Sequence, residues 1–129
     1  MSAALILIVE DNDRNLKLVR DVLQYRGYRT IEAATATDGV RLAQDELPDL
    51  VLMDFQLPDM NGIDALQRLR RDSRTGAIPV IAVSASVMPE QRSRIASSGF
   101  DAFQAKPIRV NQFMASVAEV LERRNGSEM

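Results

Sequence analysis

The stretch Leu50-Val51-Leu52-Met53-Asp54-Phe55-Gln56-Leu57-Pro58 runs from a wholly apolar segment into a carboxylate and then a loop ended by proline. Four consecutive large apolar residues after Pro48-Asp49 predict a strand buried on both faces. Asp54 stands where that strand leaves the core. A charge there is costly to bury unless it meets a cation, a metal or a chemical task. Leu5-Ile6-Leu7-Ile8-Val9 ends the same way, in Glu10-Asp11. Two apolar strands that both deliver acids from their C-terminal ends point to one acidic pocket.

Outward from these runs, strand-like and helix-like segments alternate. Val80–Val83 is a third apolar run, and Tyr28–Glu32 and Asp101–Gln104 are weaker strand candidates. Between them fall helical spacings: Leu16, Val19, Leu23; Val40, Ala43, Leu47; Ile63, Leu66, Leu69. The last segment places Val110, Phe113, Met114, Val117, Val120 and Leu121 on one face. The fourth helix, about Pro89 to Ser97, is the least apolar. Gly27 and Gly99 punctuate helix ends, and Asp11 or Asp13 suits the N-cap of the first helix. Continuous apolar strands alternating with amphipathic helices predict an α/β fold, a parallel sheet covered on both faces in a doubly wound, three-layer αβα sandwich. One domain over residues 1–124 is expected, with residues 125–129 as a short polar tail.

Composition removes whole classes of function. At 129 residues and 46% hydrophobic, the chain has the size and apolar content of one globular domain. A net charge of −2 argues against nucleic acid binding through phosphate neutralisation. No apolar run approaches the roughly 20 residues of a membrane span, and no secretory signal opens the chain, so a cytoplasmic protein without membrane attachment is expected. With no cysteine and no histidine, thiolate chemistry, Ser-His-Asp catalysis and imidazole–zinc sites are excluded. Of the 16 basic residues only Lys17 and Lys106 are lysines, and Lys106 precedes Pro107.

In doubly wound sheets ligands bind beyond the C-terminal ends of the strands. Glu10, Asp11, Asp54, Ser84 and Lys106 all fall at or just past expected strand ends. Singly, each has an ordinary reading: a capping or turn acid, a loop hydroxyl, a solvated cation. Together they form one rim. Two carboxylates about 5 Å apart repel by roughly 3 kcal/mol at an effective dielectric near 20, so clustered acids need cations to stay ionised. Lys106 supplies one, and an oxygen-preferring divalent ion such as Mg²⁺ would supply the rest. A carboxylate beside Mg²⁺ and Lys is arranged to receive a phosphoryl group, whose three equatorial oxygens the metal, Lys106 and Ser84 could address.

Four motifs, Val9-Glu10-Asp11-Asn12, Leu52-Met53-Asp54-Phe55-Gln56-Leu57-Pro58 through Asn61-Gly62, Val83-Ser84-Ala85 and Ala105-Lys106-Pro107, together resemble the receiver domain of two-component response regulators. The resemblance covers nearly the whole chain in order. It implies a flavodoxin-like, five-stranded sheet of order 2-1-3-4-5. It also implies roles: Asp54 as phosphoacceptor, Asp11 as direct Mg²⁺ ligand, Glu10 acting on the metal through water, and the Gln56 backbone carbonyl completing the shell. Mn²⁺ is implied as a substitute ion. Ser84 matches the switch hydroxyl, Lys106 a phosphoryl partner, and Phe103 the aromatic switch position. The Lys106–Pro107 bond is expected to be cis, with Pro58 and Gly62 as structural positions of the loop. Serine at 84, phenylalanine at 103 and glutamate at 10 depart mildly from the commonest pattern. Gln56 and Ser86 lie where the family tunes phosphoryl lifetime.

No effector segment follows the last helix, so a stand-alone, single-domain regulator similar to the DivK-like ones is expected. It is implied to take phosphoryl from a phosphohistidine on a histidine kinase or histidine phosphotransfer protein and to bind a downstream protein through helix 4, strand 5 and helix 5. It would be a signalling module, an enzyme only toward its own phosphorylation and dephosphorylation. A receiver from a hybrid histidine kinase is the alternative. An aspartate-dependent phosphatase is remote, because Gln56 stands where such enzymes carry a second acid. A flavodoxin-like cofactor carrier would need a glycine- or Ser/Thr-rich phosphate loop after the first strand, which is missing.

Overall fold

The computed structural model describes residues 3–85 and 88–127, with side chains through Arg124. Five strands, β1 (Leu5–Val9), β2 (Arg29–Ala33), β3 (Leu50–Asp54), β4 (Val80–Ser84) and β5 (Ala102–Ala105), form one parallel sheet of order β2-β1-β3-β4-β5. Helices α1 (Asp13–Tyr25), α2 (Ala36–Glu46), α3 (Gly62–Arg71), α4 (Pro89–Ser97) and α5 (Val110–Ser127) connect or follow them. β3 and β4 are buried at every position, which is why they read as unbroken apolar runs. The alternation of side chains along each strand sorts the core into two layers. Leu7, Val9, Val51 and Met53 pack under α2 and α3, while Ile6, Ile8, Leu50 and Leu52 pack under α1 and α5. The α/β doubly wound sandwich and its strand order therefore match the expectation.

Several local expectations are corrected. The N-cap of α1 is Asn12, whose side chain accepts from Arg14 N and Asn15 N, so neither Asp11 nor Asp13 serves. Leu47 has the spacing of the apolar face of α2, yet it is the exposed C-cap with φ of 50°. The turn into β3 requires that left-handed backbone, and it swings the side chain out. Val110 is likewise exposed at the first position of α5 rather than on its buried face. The α5 backbone is helical through Ser127. Ser86 lies outside the described residues.

Helix α4 matches its expected span, Pro89–Ser97, and is the weakest attachment. Its N-cap, Met88, makes no side-chain cap hydrogen bond, and its one buried residue is Ile95. Helix α5, by contrast, buries Phe113, Met114, Val117, Val120 and Leu121.

Candidate functional site: an acidic pocket at the strand-order switch

The strand order places β1 between β2 and β3, so the chain runs outward in opposite directions from β1 and β3. Their C-terminal ends flank the crevice where doubly wound sheets bind ligands. Glu10 and Asp11 leave β1 there, and Asp54 ends β3. One carboxylate oxygen from each of Glu10, Asp11 and Asp54 lies within 4.8 Å of the others. Glu10 and Asp54 are buried, at 6% and 4% exposure, while Asp11 faces solvent. Because Asn12 performs the helix cap, the Asp11 carboxylate is not spent on backbone N–H groups. Among the described residues it has no hydrogen bond or ion pair.

Lys106 reaches into this cluster from the end of β5. Its Nζ lies 2.8 Å from Glu10 Oε1 and 3.1 Å from Asp54 Oδ2. The other Asp54 oxygen, Oδ1, accepts from Gln56 N at 3.0 Å. Glu10 Oε2 accepts from Asn12 N at 3.2 Å. Lys106 N donates to Ser84 O at 2.9 Å, which holds the β5 end against the β4 end, and the Lys106–Pro107 peptide is cis as expected. Ser84 is fully buried at the tip of β4. The expected rim, Glu10, Asp11, Asp54, Ser84 and Lys106, is thus assembled at one edge of the sheet.

Electrostatics show what the cluster lacks. Burial pushes the Glu10 carboxyl above its ordinary 4.5, the adjacent Asp54 pushes it further, and Lys106 only partly opposes them. Burial would lower the Lys106 ammonium, but Glu10 and Asp54 outweigh it and hold the group above its ordinary value. One ammonium facing three carboxylates leaves a surplus of negative charge in oxygen-only surroundings. That donor set fits a hard divalent cation, with Asp11 the carboxylate open to it.

The other expected residues fall around the pocket. Gln56 is exposed, and its backbone pairs with Asn61 across the loop that leaves β3. Pro58 is exposed within that loop. Gly62 N donates to Phe55 O at 2.9 Å, and a Cβ on Gly62 would meet Phe55 Cα at 3.0 Å, so the helix start requires glycine. Phe103 is half-buried on β5, with the Arg92 guanidinium 5.2 Å from its ring centroid. Two participants were not anticipated. Asn12 donates its N–H to Glu10, and Asp59 ties the loop after β3 to α2. Asn12 carries a readable signal, a capping residue type directly before a helical pattern. Asp59 carries none, because its partners are more than twenty positions away.

The comparisons with known proteins agree with this geometry. The chain is 40% identical over 116 residues to the polar-differentiation response regulator DivK of Brucella ovis, covering 90% of this chain and 94% of that protein. The receiver domain of a sensor histidine kinase from Pseudomonas aeruginosa PAO1, solved with a magnesium ion coordinated in its active site cleft, is 30% identical with a TM-score of 0.82. That match covers 97% of this chain and 99% of that one. A CheY-like response regulator receiver domain protein from Methanospirillum hungatei JF-1 superposes with a TM-score of 0.89 at 28% identity, covering 98% and 99% of the two chains. The family model for the response regulator receiver domain matches residues 6–118. With that match and the acids of β1 and β3 gathered about Lys106, the chain belongs to the response regulator receiver domain family.

Proposed function

We propose that Asp54 is the phosphoacceptor of this response regulator. The observation that carries the reading is Lys106 Nζ held between Glu10 and Asp54 beside the open carboxylate of Asp11. An Asp54 oxygen attacks the phosphorus of a phosphohistidine on a histidine kinase or histidine phosphotransfer protein. The P–N bond breaks, the imidazole keeps its electron pair, and an acyl phosphate forms. Water attack on that phosphorus later releases phosphate and restores the carboxylate. Lys106 neutralises one transferring oxygen, and Ser84 stands at the β4 tip to meet another. Asp11, Glu10 through water, Asp54 and the Gln56 carbonyl would hold Mg²⁺, or Mn²⁺ in its place. The ion would supply the remaining positive charge against the phosphoryl oxygens.

The protein acts in the cytoplasm as a signalling module rather than a turnover enzyme. Its output is protein binding, with no nucleic acid or membrane partner, through α4, β5 and α5. Phe103 is the aromatic of that face and Ser84 the hydroxyl that couples it to the phosphoryl group. The weak anchoring of α4 supports this reading, since an element that moves comes from the less stable parts of a fold. Incubation with Mg²⁺ and phosphoramidate, followed by intact-mass measurement, tests the assignment. One acid-labile phosphoryl group per chain is expected, absent from Asp54→Ala. Equal labelling of that variant would overturn it.

A further inference from the structure

Helix α2 begins with backbone N–H groups that have no partner within the helix. Thr35 takes one of them locally, accepting from Asp38 N at 3.1 Å. Two others are taken from far along the chain. Asp59 accepts from Ala36 N through Oδ1 and from Thr37 N through Oδ2, each at 2.9 Å, and from the Thr37 hydroxyl at 2.6 Å. Asp59 lies midway along the loop between β3 and α3. That loop begins at Asp54, carries Gln56, and is closed on itself by the Gln56–Asn61 bridge and the Gly62 N to Phe55 O bond. Within it, Gln56 N donates to Asp54 Oδ1, Leu57 and Met60 pack against the core, and the Asp59 carboxylate sits on the positive end of α2.

We propose that Asp59 is a positioning residue for the acidic pocket. By docking the middle of the loop on α2, it sets where the Gln56 backbone stands relative to Asp54 and Asp11. Three hydrogen bonds to one carboxylate fix both its position and its plane. Without that docking the loop would keep its closing bridge and the Gln56 N to Asp54 Oδ1 bond but lose its polar hold on α2, which lets the Gln56 carbonyl shift relative to the pocket. Helix α2, which contributes no acid to the site, thereby becomes part of the metal-binding framework. Outer partners of this kind commonly govern metal affinity without touching the ion.

The inference rests on the proposed Mg²⁺ site, and the experiment separates the two. Mg²⁺ binding is measured by calorimetry, and the Mg²⁺ dependence of phosphoryl uptake from phosphoramidate is followed in parallel. The proteins are wild type, Asp59→Ala, Asp59→Asn and Thr35→Ala. Thr35→Ala removes the other cap of α2 and so weakens the same helix without releasing the loop. Asp59→Ala is expected to weaken Mg²⁺ binding on the order of tenfold, with uptake recovering toward wild type at saturating Mg²⁺. Asp59→Asn, which keeps an acceptor oxygen, should fall between. Thr35→Ala should lower the melting temperature yet bind Mg²⁺ as wild type does. If Asp59→Ala binds Mg²⁺ as wild type does, or Thr35→Ala weakens binding equally, the positioning role is overturned. If wild type neither binds Mg²⁺ nor takes up phosphoryl, the site assignment itself is what fails.

Discussion

At the N-terminal edge of the sheet, Asp49 accepts from Leu5 N at 2.8 Å and lies 3.4 Å from Arg124, while Asp101 accepts from Val80 N at 2.8 Å and lies 3.2 Å from Arg70. Each acid has one strand to tie and one arginine of its own. At the C-terminal edge three carboxylates crowd about the single ammonium of Lys106. The same residue type thus does opposite work at the two ends of the same strands. Acids that hold structure are individually satisfied. Acids of the proposed site are left jointly short of positive charge, a deficit that a divalent cation would relieve.

Substitution at the two edges should separate these roles. The largest contrast lies between Asp54→Asn and Asp101→Asn. The first should reduce phosphoryl uptake to background and leave the metal-free protein at least as stable, because it removes a crowded charge. The second should leave uptake intact, as intact-mass labelling would report. If both lose uptake, the division between the edges fails. Next in size is Lys106→Met, which strips the only ammonium from two buried carboxylates. It should cost about 2–3 kcal/mol in urea unfolding without metal, and millimolar Mg²⁺ should restore part of that loss. A smaller effect is expected for Asp101→Ala. It frees the buried Val80 N–H and should cost about 1 kcal/mol that Mg²⁺ does not restore.

The pH dependence sharpens the contrast most finely, because the two kinds of acid give slopes of opposite sign. Glu10 is raised above 4.5, so the folded protein holds its proton more tightly than the unfolded chain. Its contribution is fully present below 4.5 and is lost as pH rises through the raised folded value. Glu10→Gln should abolish that decline in metal-free unfolding experiments. Asp59, held at about 2 chiefly by the Thr37 hydroxyl, runs the other way. Its contribution is present above the ordinary 3.8 and is lost as pH falls through about 2. An Asp59→Asn variant should show a flatter acid limb. The same slope in both variants would erase the distinction.

The pocket was legible in the sequence because most of its residues stand where an apolar run ends. A strand buried on both faces announces its own end when an acid or hydroxyl appears there, as Glu10, Asp54 and Ser84 do, whereas Lys106 follows the weaker β5 and was marked by the scarcity of lysine and by Pro107. Strand existence and helix spans followed from periodicity, but strand order came only through family resemblance, since periodicity says nothing of which strands pair. The satisfied acids were not legible for a related reason. Asp49 finds Leu5 across 44 positions and Asp59 finds Ala36 across 23. No local pattern encodes such partnerships. At Leu47 and Val110 helical spacing misled, because a residue at a helix terminus keeps the phase of the apolar face after the backbone has begun to turn away.

The anchoring of α4 has a consequence for how much free energy a signal must carry. Burying one isoleucine such as Ile95 is worth about 2 kcal/mol, and coupling between distant sites in proteins typically transmits about 1–3 kcal/mol. The two quantities are of one size, so a phosphoryl group on Asp54, as proposed, would command enough free energy to re-dock α4. Five buried side chains place α5 beyond that range. Under phosphorylation, amide exchange should therefore change across Pro89–Ser97 while the inner face of α5 stays protected.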